Sequence, residues 1–297
     1  MDNKHKQASY LVNNERKDNN QDSYLIKFLR NIPQEFPVQN PIDLTEKIRK
    51  TEFKLHTVEY PNEGQLQGVI FVLQEYGGYC DFYGHYFKDL ANQGRRGDSG
   101  PNLMDDQWRF IDKIVEKFEL QEVNKYLFGL SFGGLICMRM LQIRPSFFNG
   151  AILHAPQLAN HESNHIGKRC CCYRNKYLPA KSTNQEYDEF ANFVKANRNL
   201  MIMQIQYNMA NYVLNLQDLY SKEIDKIPNI PIFLSIAGKD LVVSNGHINE
   251  VSKQLKHPQN MFVTYEDQLH SSFYFDGFYQ QLMKDIHDWL VDINIQN

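Results

Sequence analysis

Residues 123–133 read Val-Asn-Lys-Tyr-Leu-Phe-Gly-Leu-Ser-Phe-Gly, and the last five of them fit the pattern G-x-S-x-G. A strand is predicted at 123–128, and a helix follows from Phe132 until Pro145 stops it. A sharp turn between them would hold Ser131 in strained backbone geometry, clear of the sheet and over a helix N-terminus that favours negative charge. The pattern therefore predicts a nucleophilic serine, the alternative being a glycine-rich turn with an incidental serine.

A serine nucleophile needs a base and an acid that orients the base. Asp240 lies in Ala-Gly-Lys-Asp after a predicted strand, and His270 lies just past the next one. Both therefore belong to loops at the carboxyl ends of strands, where open parallel sheets carry their active sites. The chain order Ser131, Asp240, His270 is the order that accompanies a nucleophile elbow, so these three are the predicted catalytic residues.

Other residues compete for these roles. Asp267 could replace Asp240, but it is too close in sequence to His270 to come from a separate strand end. His154 ends a strand and could be the base, although its place before Asp240 breaks the order; we interpret it as a pocket wall or a satisfied polar residue. His247 is predicted on a helix and is given a structural role.

Acyl transfer also needs two hydrogen-bond donors for the oxyanion. The predicted donors are the backbone N–H of Phe132, next to the nucleophile, and that of Tyr76, in the turn after the apolar run 69–73.

The wider pattern is one of strands alternating with helices, which predicts an α/β fold with a mostly parallel sheet covered on both faces. Residues 94–101, with the sequence GRRGDSGP, are predicted as a loop, and 52–60 as a strand-like run. The other predicted strands are 69–73, 123–128, 150–154, 232–237 and 261–265, and the predicted helices are 82–91, 104–118, 132–143, 247–255 and 275–291.

Four regions follow from this pattern. Residues 1–30 are a polar tail predicted to be disordered. Residues 31–157 and 229–297 form the two parts of the α/β core. Residues 158–228 interrupt the alternation and contain two predicted helices, 186–196 and 200–221, so they are an insertion.

Composition excludes several functions. The net charge of the 297 residues is −3, whereas a protein that holds nucleic acid through phosphates is usually basic, so no nucleic-acid partner is expected. No apolar run reaches the roughly 18 residues of a membrane span. The five cysteines contain no C-x-x-C pair or zinc spacing, and the N-terminus has no apolar signal core. We therefore expect a cytoplasmic protein that needs no metal or cofactor.

Three adjacent cysteines stand out within the insertion, flanked by basic residues in Lys-Arg-Cys-Cys-Cys-Tyr-Arg. Cys170, Cys171 and Cys172 suit S-acylation and contact with an anionic membrane surface. The alternative is a solvated loop with free thiols.

Taken together, these motifs resemble the α/β-hydrolase fold and, within it, the monoacylglycerol lipase or lysophospholipase-like (serine aminopeptidase-type) family. The resemblance covers about residues 50 to 292. Besides the elbow, it rests on FVLQEYG (71–77), RGDSGP (96–101), FNGAILHAP (148–156), AGKDLVV (237–243) and YEDQLH (265–270). It implies that 158–228 form a helical cap over an acyl pocket.

The sequence departs from the family at two places. Gln74-Glu75 stand where the family has His-Gly, and a carboxylate there opposes an oxyanion if it points inward and is harmless if it points outward. In addition, about a dozen residues, including one expected strand, are missing near 94–95. The resemblance implies a serine hydrolase that cleaves esters of single-chain lipids, monoacylglycerols or lysophospholipids. The alternatives are a non-catalytic relative, or a short-chain esterase or peptidase of the same fold.

Overall fold

The computed structural model describes residues 59–60, 66–75, 95–100, 104–162, 207–270, 272 and 278–295. The predicted tail, the helices 82–91 and 186–196, Tyr76 and the three adjacent cysteines lie outside these residues.

Seven strands of the described residues form one sheet, in the order β1-β3-β2-β4-β5-β6-β7. Only β1 is antiparallel to its neighbour, so the mostly parallel sheet expected from the sequence is confirmed. The strands are β1 Glu59–Tyr60, β2 Gly68–Leu73, β3 Arg95–Gly100, β4 Lys125–Leu130, β5 Gly150–His154, β6 Ile232–Ala237 and β7 Met261–Tyr265.

Helices follow most of these strands, as in a doubly wound sheet. They are α1 Met104–Lys117, α2 Phe132–Ile143, α3 Tyr207–Lys222, α4 Asn245–Ser252 and α5 Phe278–Ile295, with a short 3-10 helix at Ile224–Lys226. Every residue of β2, β4, β5 and β6 is buried, because helices cover both faces of the central strands. Helix α2 is buried from Phe132 to Gln142, which places it in the centre of the core.

The expectation of a loop at 94–101, with the strand near 94–95 missing, is corrected by the structure. Arg95–Gly100 forms β3, which pairs in parallel with β2 and antiparallel with β1. The physical reason is that the outer edge of buried β2 carries backbone groups that must be paired. Any residue can supply the backbone N–H and C=O groups that pair with a neighbouring strand. The pairing next to β2 therefore outweighs the poor strand propensity of the glycine and aspartate residues of β3.

Helix α3 lies within the predicted insertion and packs against the core. Its residues Ala210, Val213, Leu216 and Tyr220 are buried, and the ring of Tyr212 lies 6.5 Å from that of Phe132. Among the described residues, no helix is both long and apolar enough to cross a membrane.

A polar cluster joins the end of α3 to α2, and we refer to Arg139, Gln142 and Glu223 as the polar clamp. The buried Arg139 donates hydrogen bonds to the side chains of Gln142 and Glu223, the latter at 2.8 Å. The Gln142 amide donates to the carbonyls of Tyr220 (2.9 Å) and Glu223 (2.7 Å). The clamp thus satisfies buried polar groups at the point where the chain leaves α3.

Candidate active site

Ser131 occupies the single-residue turn between β4 and α2. Its φ of 50° and ψ of −114° lie in a backbone region that residues other than glycine rarely adopt, as the elbow motif predicts. The turn is held by backbone hydrogen bonds: Ser131 N–H donates to His154 O (3.0 Å), and Ser131 O accepts from Gly134 N–H (3.0 Å) and Gln157 N–H (2.8 Å). The strained conformation therefore persists because the end of β5 holds the N–H of Ser131, while α2 and the loop after β5 hold its carbonyl.

Glycines permit the close approaches around this turn. A Cβ on Gly129 would lie 2.7 Å from Gly133 O, and one on Gly133 would lie 2.0 Å from Leu73 O. Both glycines belong to the motif. Gly134 lies outside it, yet a Cβ there would lie 2.5 Å from the Pro156 side chain, a packing requirement that the pentapeptide pattern could not reveal.

The structure brings Ser131, His270 and Asp240 together from three strand ends. His270 Nε2 lies 2.8 Å from Ser131 Oγ, and His270 Nδ1 lies 2.6 Å from Asp240 Oδ2. His270 is 7% exposed and Asp240 is 4% exposed, so the hydrogen bond between them is shielded from water, whereas the contact with the half-buried Ser131 is only partly shielded. With the Nδ1 proton donated to Asp240, Nε2 is left to accept the proton of Ser131.

The second oxygen of Asp240 is held by the backbone. Asp240 Oδ1 accepts hydrogen bonds from Val242 N–H (2.7 Å) and Val243 N–H (3.0 Å). Burial by itself raises the pKa of Asp240, but the charge of His270 and these hydrogen bonds outweigh it and hold the pKa below its usual value. Asp240 therefore stays ionised at neutral pH.

The pKa of His270 is shifted in the opposite direction. Burial lowers it, but the charge and hydrogen bond of Asp240, with a smaller contribution from the Glu75 carboxylate, outweigh burial and raise the pKa above 6.5. A raised pKa makes the imidazole a stronger base for the serine proton.

The three competing residues take other places. Asp267 is an exposed surface residue whose side chain pairs with Lys239 at 2.8 Å. His247 lies in the first turn of α4, and its N–H donates to Ser244 Oγ at 3.3 Å. Neither has a hydrogen bond to Ser131 or His270.

His154 is buried at the end of β5. Its Nδ1 lies 2.8 Å from Ser235 Oγ, and burial, with a smaller contribution from the charge of His270, lowers its pKa to about 3. His154 is thus neutral and too weak a base at neutral pH. Sequence reasoning missed Ser235 as its partner, because cross-strand pairing depends on register.

One of the two expected oxyanion donors can be located. Phe132 N–H lies in the first turn of α2, where backbone N–H groups have no acceptor within the helix. Tyr76 lies outside the described residues. Leu73 and Gln74, which precede the expected second donor, run alongside Gly133. Among the residues described, no group of three His, Cys, Asp or Glu side chains could hold a metal ion.

The chain is similar to known proteins both in sequence and in fold. The model of the serine aminopeptidase S33 family of hydrolases matches residues 79–276. A comparison with curated protein sequences gives no match.

Solved structures of lipases and esterases share the fold. The monoacylglycerol lipase of Paleococcus ferrophilus has a TM-score of 0.66 at 17% identity, covering 81% of this chain and 100% of its own. A soluble variant of the Saccharomyces cerevisiae monoglyceride lipase, bound to a substrate analogue, has a TM-score of 0.70 at 12% identity, covering 88% and 98%. A thermostable carboxyl esterase of Bacillus coagulans, bound to glycerol, has a TM-score of 0.64 at 13% identity, covering 81% and 94%.

Proposed function

Because the chain belongs to the serine aminopeptidase S33 family of α/β-hydrolases, we propose that it is a serine hydrolase of single-chain lipid esters, monoacylglycerols or lysophospholipids. The observation that carries the proposal is the continuous hydrogen-bond path from Ser131 Oγ through His270 to Asp240, with distances of 2.8 and 2.6 Å.

In the proposed reaction Ser131 Oγ attacks the ester carbonyl while His270 Nε2 takes its proton. Asp240 orients the imidazole and stabilises the imidazolium that forms. The Phe132 N–H, together with the Tyr76 N–H predicted from the sequence, holds the oxyanion. His270 then gives its proton to the leaving alcohol, and water, activated by the same imidazole, releases the fatty acid from the acyl-enzyme. No step calls for a metal or cofactor.

Two observations support a lipid ester as substrate. The structures of a monoacylglycerol lipase and of a monoglyceride lipase share the fold over more than four fifths of this chain. In addition, helix α3 of the insertion lies over the start of α2, with the ring of Tyr212 against that of Phe132, the residue after the nucleophile. Helix α3 thus brings apolar side chains close to the start of the nucleophile helix, which suits a substrate with an acyl chain.

A peptidase is the second candidate, and it is favoured by the family's name and by one residue. Glu75 follows β2 and lies close enough to the site to raise the pKa of His270, so it could bind the free amine of a peptide substrate. In an aminopeptidase substrate the positively charged amine belongs to the acyl part, which is the part that becomes attached to Ser131.

A fluorophosphonate probe tests the nucleophile. We expect the folded wild type to be labelled and Ser131→Ala and His270→Ala to lose the label, whereas His247→Ala, which alters a histidine outside the site, keeps it. Absence of labelling of the folded wild type would favour a non-catalytic relative. Hydrolysis of monoacylglycerols of increasing chain length, of a lysophospholipid, of a short-chain ester and of an aminoacyl anilide then separates lipase from esterase and peptidase.

Contact of the insertion with a membrane surface is a further part of the proposal. Acylation of Cys170, Cys171 and Cys172, next to basic residues, would hold the protein where its substrate lies. The full-length protein purified from its source should carry a hydroxylamine-sensitive acyl group, which is lost when the three cysteines are replaced by serine. A wild type without this label contradicts the acylation.

A further inference from the structure

Two polar side chains face each other across β5 and β6, whose other side chains are apolar. His154 is the polar residue of β5 and Ser235 that of β6, and the register pairs the two directly. Both are buried. An imidazole and a hydroxyl lose free energy when they leave water, and hydrogen bonds only offset this loss. Their presence here therefore points to a role that two apolar residues would not fill.

Ser235 holds three consecutive residues at the end of β5. Its Oγ lies 2.8 Å from His154 Nδ1 and donates to Leu153 O at 3.3 Å, while its backbone oxygen accepts a hydrogen bond from Ala155 N–H at 2.9 Å. On its other side the His154 ring packs against Phe278, with ring centroids 5.7 Å apart. Side-chain contacts thus fix the end of β5 in addition to the pairing of the sheet.

The same end of β5 holds the backbone of the nucleophile. His154 O accepts the hydrogen bond of Ser131 N–H at 3.0 Å. The chain then turns at Ala155, with a φ of 43°, and Gln157 N–H donates to Ser131 O at 2.8 Å. Ser131 and Ala155 both have a positive φ, which persists only where the surroundings fix it. A shift of the end of β5 would therefore move Ser131 Oγ relative to His270 Nε2, which lies 2.8 Å away.

We propose that Ser235 is a positioning residue for the nucleophile: through its hydrogen bond to His154 it fixes the end of β5, and this end keeps Ser131 Oγ within reach of His270. The inference rests on the proposed serine hydrolase function and deepens it, because it assigns part of the rate to a residue outside the triad. Ser235 is buried within the sheet and does not touch the substrate. Its loss should therefore lower kcat and leave KM nearly unchanged.

The first test measures how fast a fluorophosphonate labels Ser131, at equal amounts of folded protein as judged by circular dichroism. In Ser235→Ala we expect the rate constant to fall at least about tenfold, because a small misplacement of a reacting atom is costly. For any ester that the wild type hydrolyses, kcat should fall in parallel while KM changes less than about threefold. The matched control is Ile232→Val on the same strand, opposite Ala151. It loses a buried methyl group and some stability, yet its labelling should stay within about twofold of wild type.

The second test isolates the hydrogen bond between the two side chains. Asparagine and leucine have nearly the same shape, but only the asparagine amide can replace His154 Nδ1 as a partner of Ser235 Oγ. We expect His154→Asn to be labelled at least about threefold faster than His154→Leu. In a Ser235→Ala background this difference should disappear, because the partner of the amide is gone.

The outcomes separate this inference from the proposed function. If Ser235→Ala is labelled as fast as Ile232→Val, or if the advantage of His154→Asn persists without the Ser235 hydroxyl, the inference is wrong while the hydrolase function stands. Should the variants at position 154 fail to fold, the comparison of Ser235→Ala with Ile232→Val decides alone. If folded wild type is neither labelled nor able to hydrolyse any ester, the proposed function fails and the positioning role fails with it.

Discussion

Replacing Ser131 by glycine is expected to give a more stable protein than replacing it by alanine. Both variants lose the hydroxyl that contacts His270, so this loss cancels in the comparison. What differs is the backbone, because Ser131 has a φ of 50° and a ψ of −114°, and alanine must adopt the same conformation. Glycine has no Cβ and adopts it without strain.

The size of the effect follows from two opposing contributions. A side chain held in such a region costs about 1–3 kcal/mol of folding free energy. Glycine at the same position gives the unfolded chain more freedom, which costs about 0.4–1 kcal/mol. We therefore expect Ser131→Gly to exceed Ser131→Ala by about 1 kcal/mol in free energy of unfolding, or by about 2–4 °C in Tm for a domain of this size.

Urea unfolding measures this difference. Trp108 and Trp289 are both buried and report the loss of the core by fluorescence. Ala155, with a φ of 43°, is an independent site of the same kind, and Ala155→Gly should also be stabilising. Ala210→Gly gives the opposite sign, because glycine within helix α3 should cost about 1 kcal/mol.

One result would refute the reasoning. If Ser131→Gly is no more stable than Ser131→Ala, while Ala210→Gly shows the expected loss, then the elbow does not store strain in the Ser131 backbone. The hydrogen bond that Ser131 N–H donates to His154 O, and those that Ser131 O accepts from Gly134 N–H and Gln157 N–H, would then hold a conformation that costs nothing.

Three further predictions concern the same site. Asp240→Asn should fold but lose about 10³–10⁴-fold in kcat, because the amide no longer fixes the tautomer of His270; a kcat within tenfold of wild type would contradict this role. The kcat/KM of the wild type should fall as the pH is lowered through a value above 6.5, because His270 must be neutral to accept the serine proton and its pKa is raised; a midpoint below 6.5 in a pH-rate profile would contradict the raised pKa. Gly133→Ala should lower the free energy of unfolding by at least about 1–3 kcal/mol, because its Cβ would lie 2.0 Å from the backbone oxygen of Leu73, whereas Gly246→Ala, whose nearest neighbour is 3.9 Å away, should be neutral or stabilising in the same urea experiment.

The strand pattern was predictable wherever a run of mostly apolar residues carried it, whether the strand is buried, as β5 and β6 are, or partly exposed, as β7 is. The predictions for 150–154, 232–237 and 261–265 coincide with β5, β6 and β7. Strand β4 was predicted at 123–128 but spans Lys125–Leu130, because Gly129 and Leu130 of the motif still pair with β5. Strand β3 was missed, because its polar residues carry no strand signal and are in the sheet only because a neighbouring edge needs partners.

The three predicted catalytic residues could be selected from the sequence because parallel strands end on one side of the sheet. Chain order then distinguished His270 from His154, which the structure shows paired with Ser235. The backbone donors of Asp240, at Val242 and Val243, could not be found in the same way. They depend on the exact path of a short loop, for which the sequence has no periodic signal.

The polar clamp has a consequence for chimeric proteins in which the insertion is exchanged between relatives. The predicted segment 158–228 contains Glu223, while its partners Arg139 and Gln142 belong to the nucleophile helix. A recombination junction placed at the ends of the segment would separate the buried guanidinium of Arg139 from its carboxylate wherever the incoming segment has no acidic residue at position 223. The unit that can be inherited or transplanted intact is therefore the segment together with positions 139 and 142.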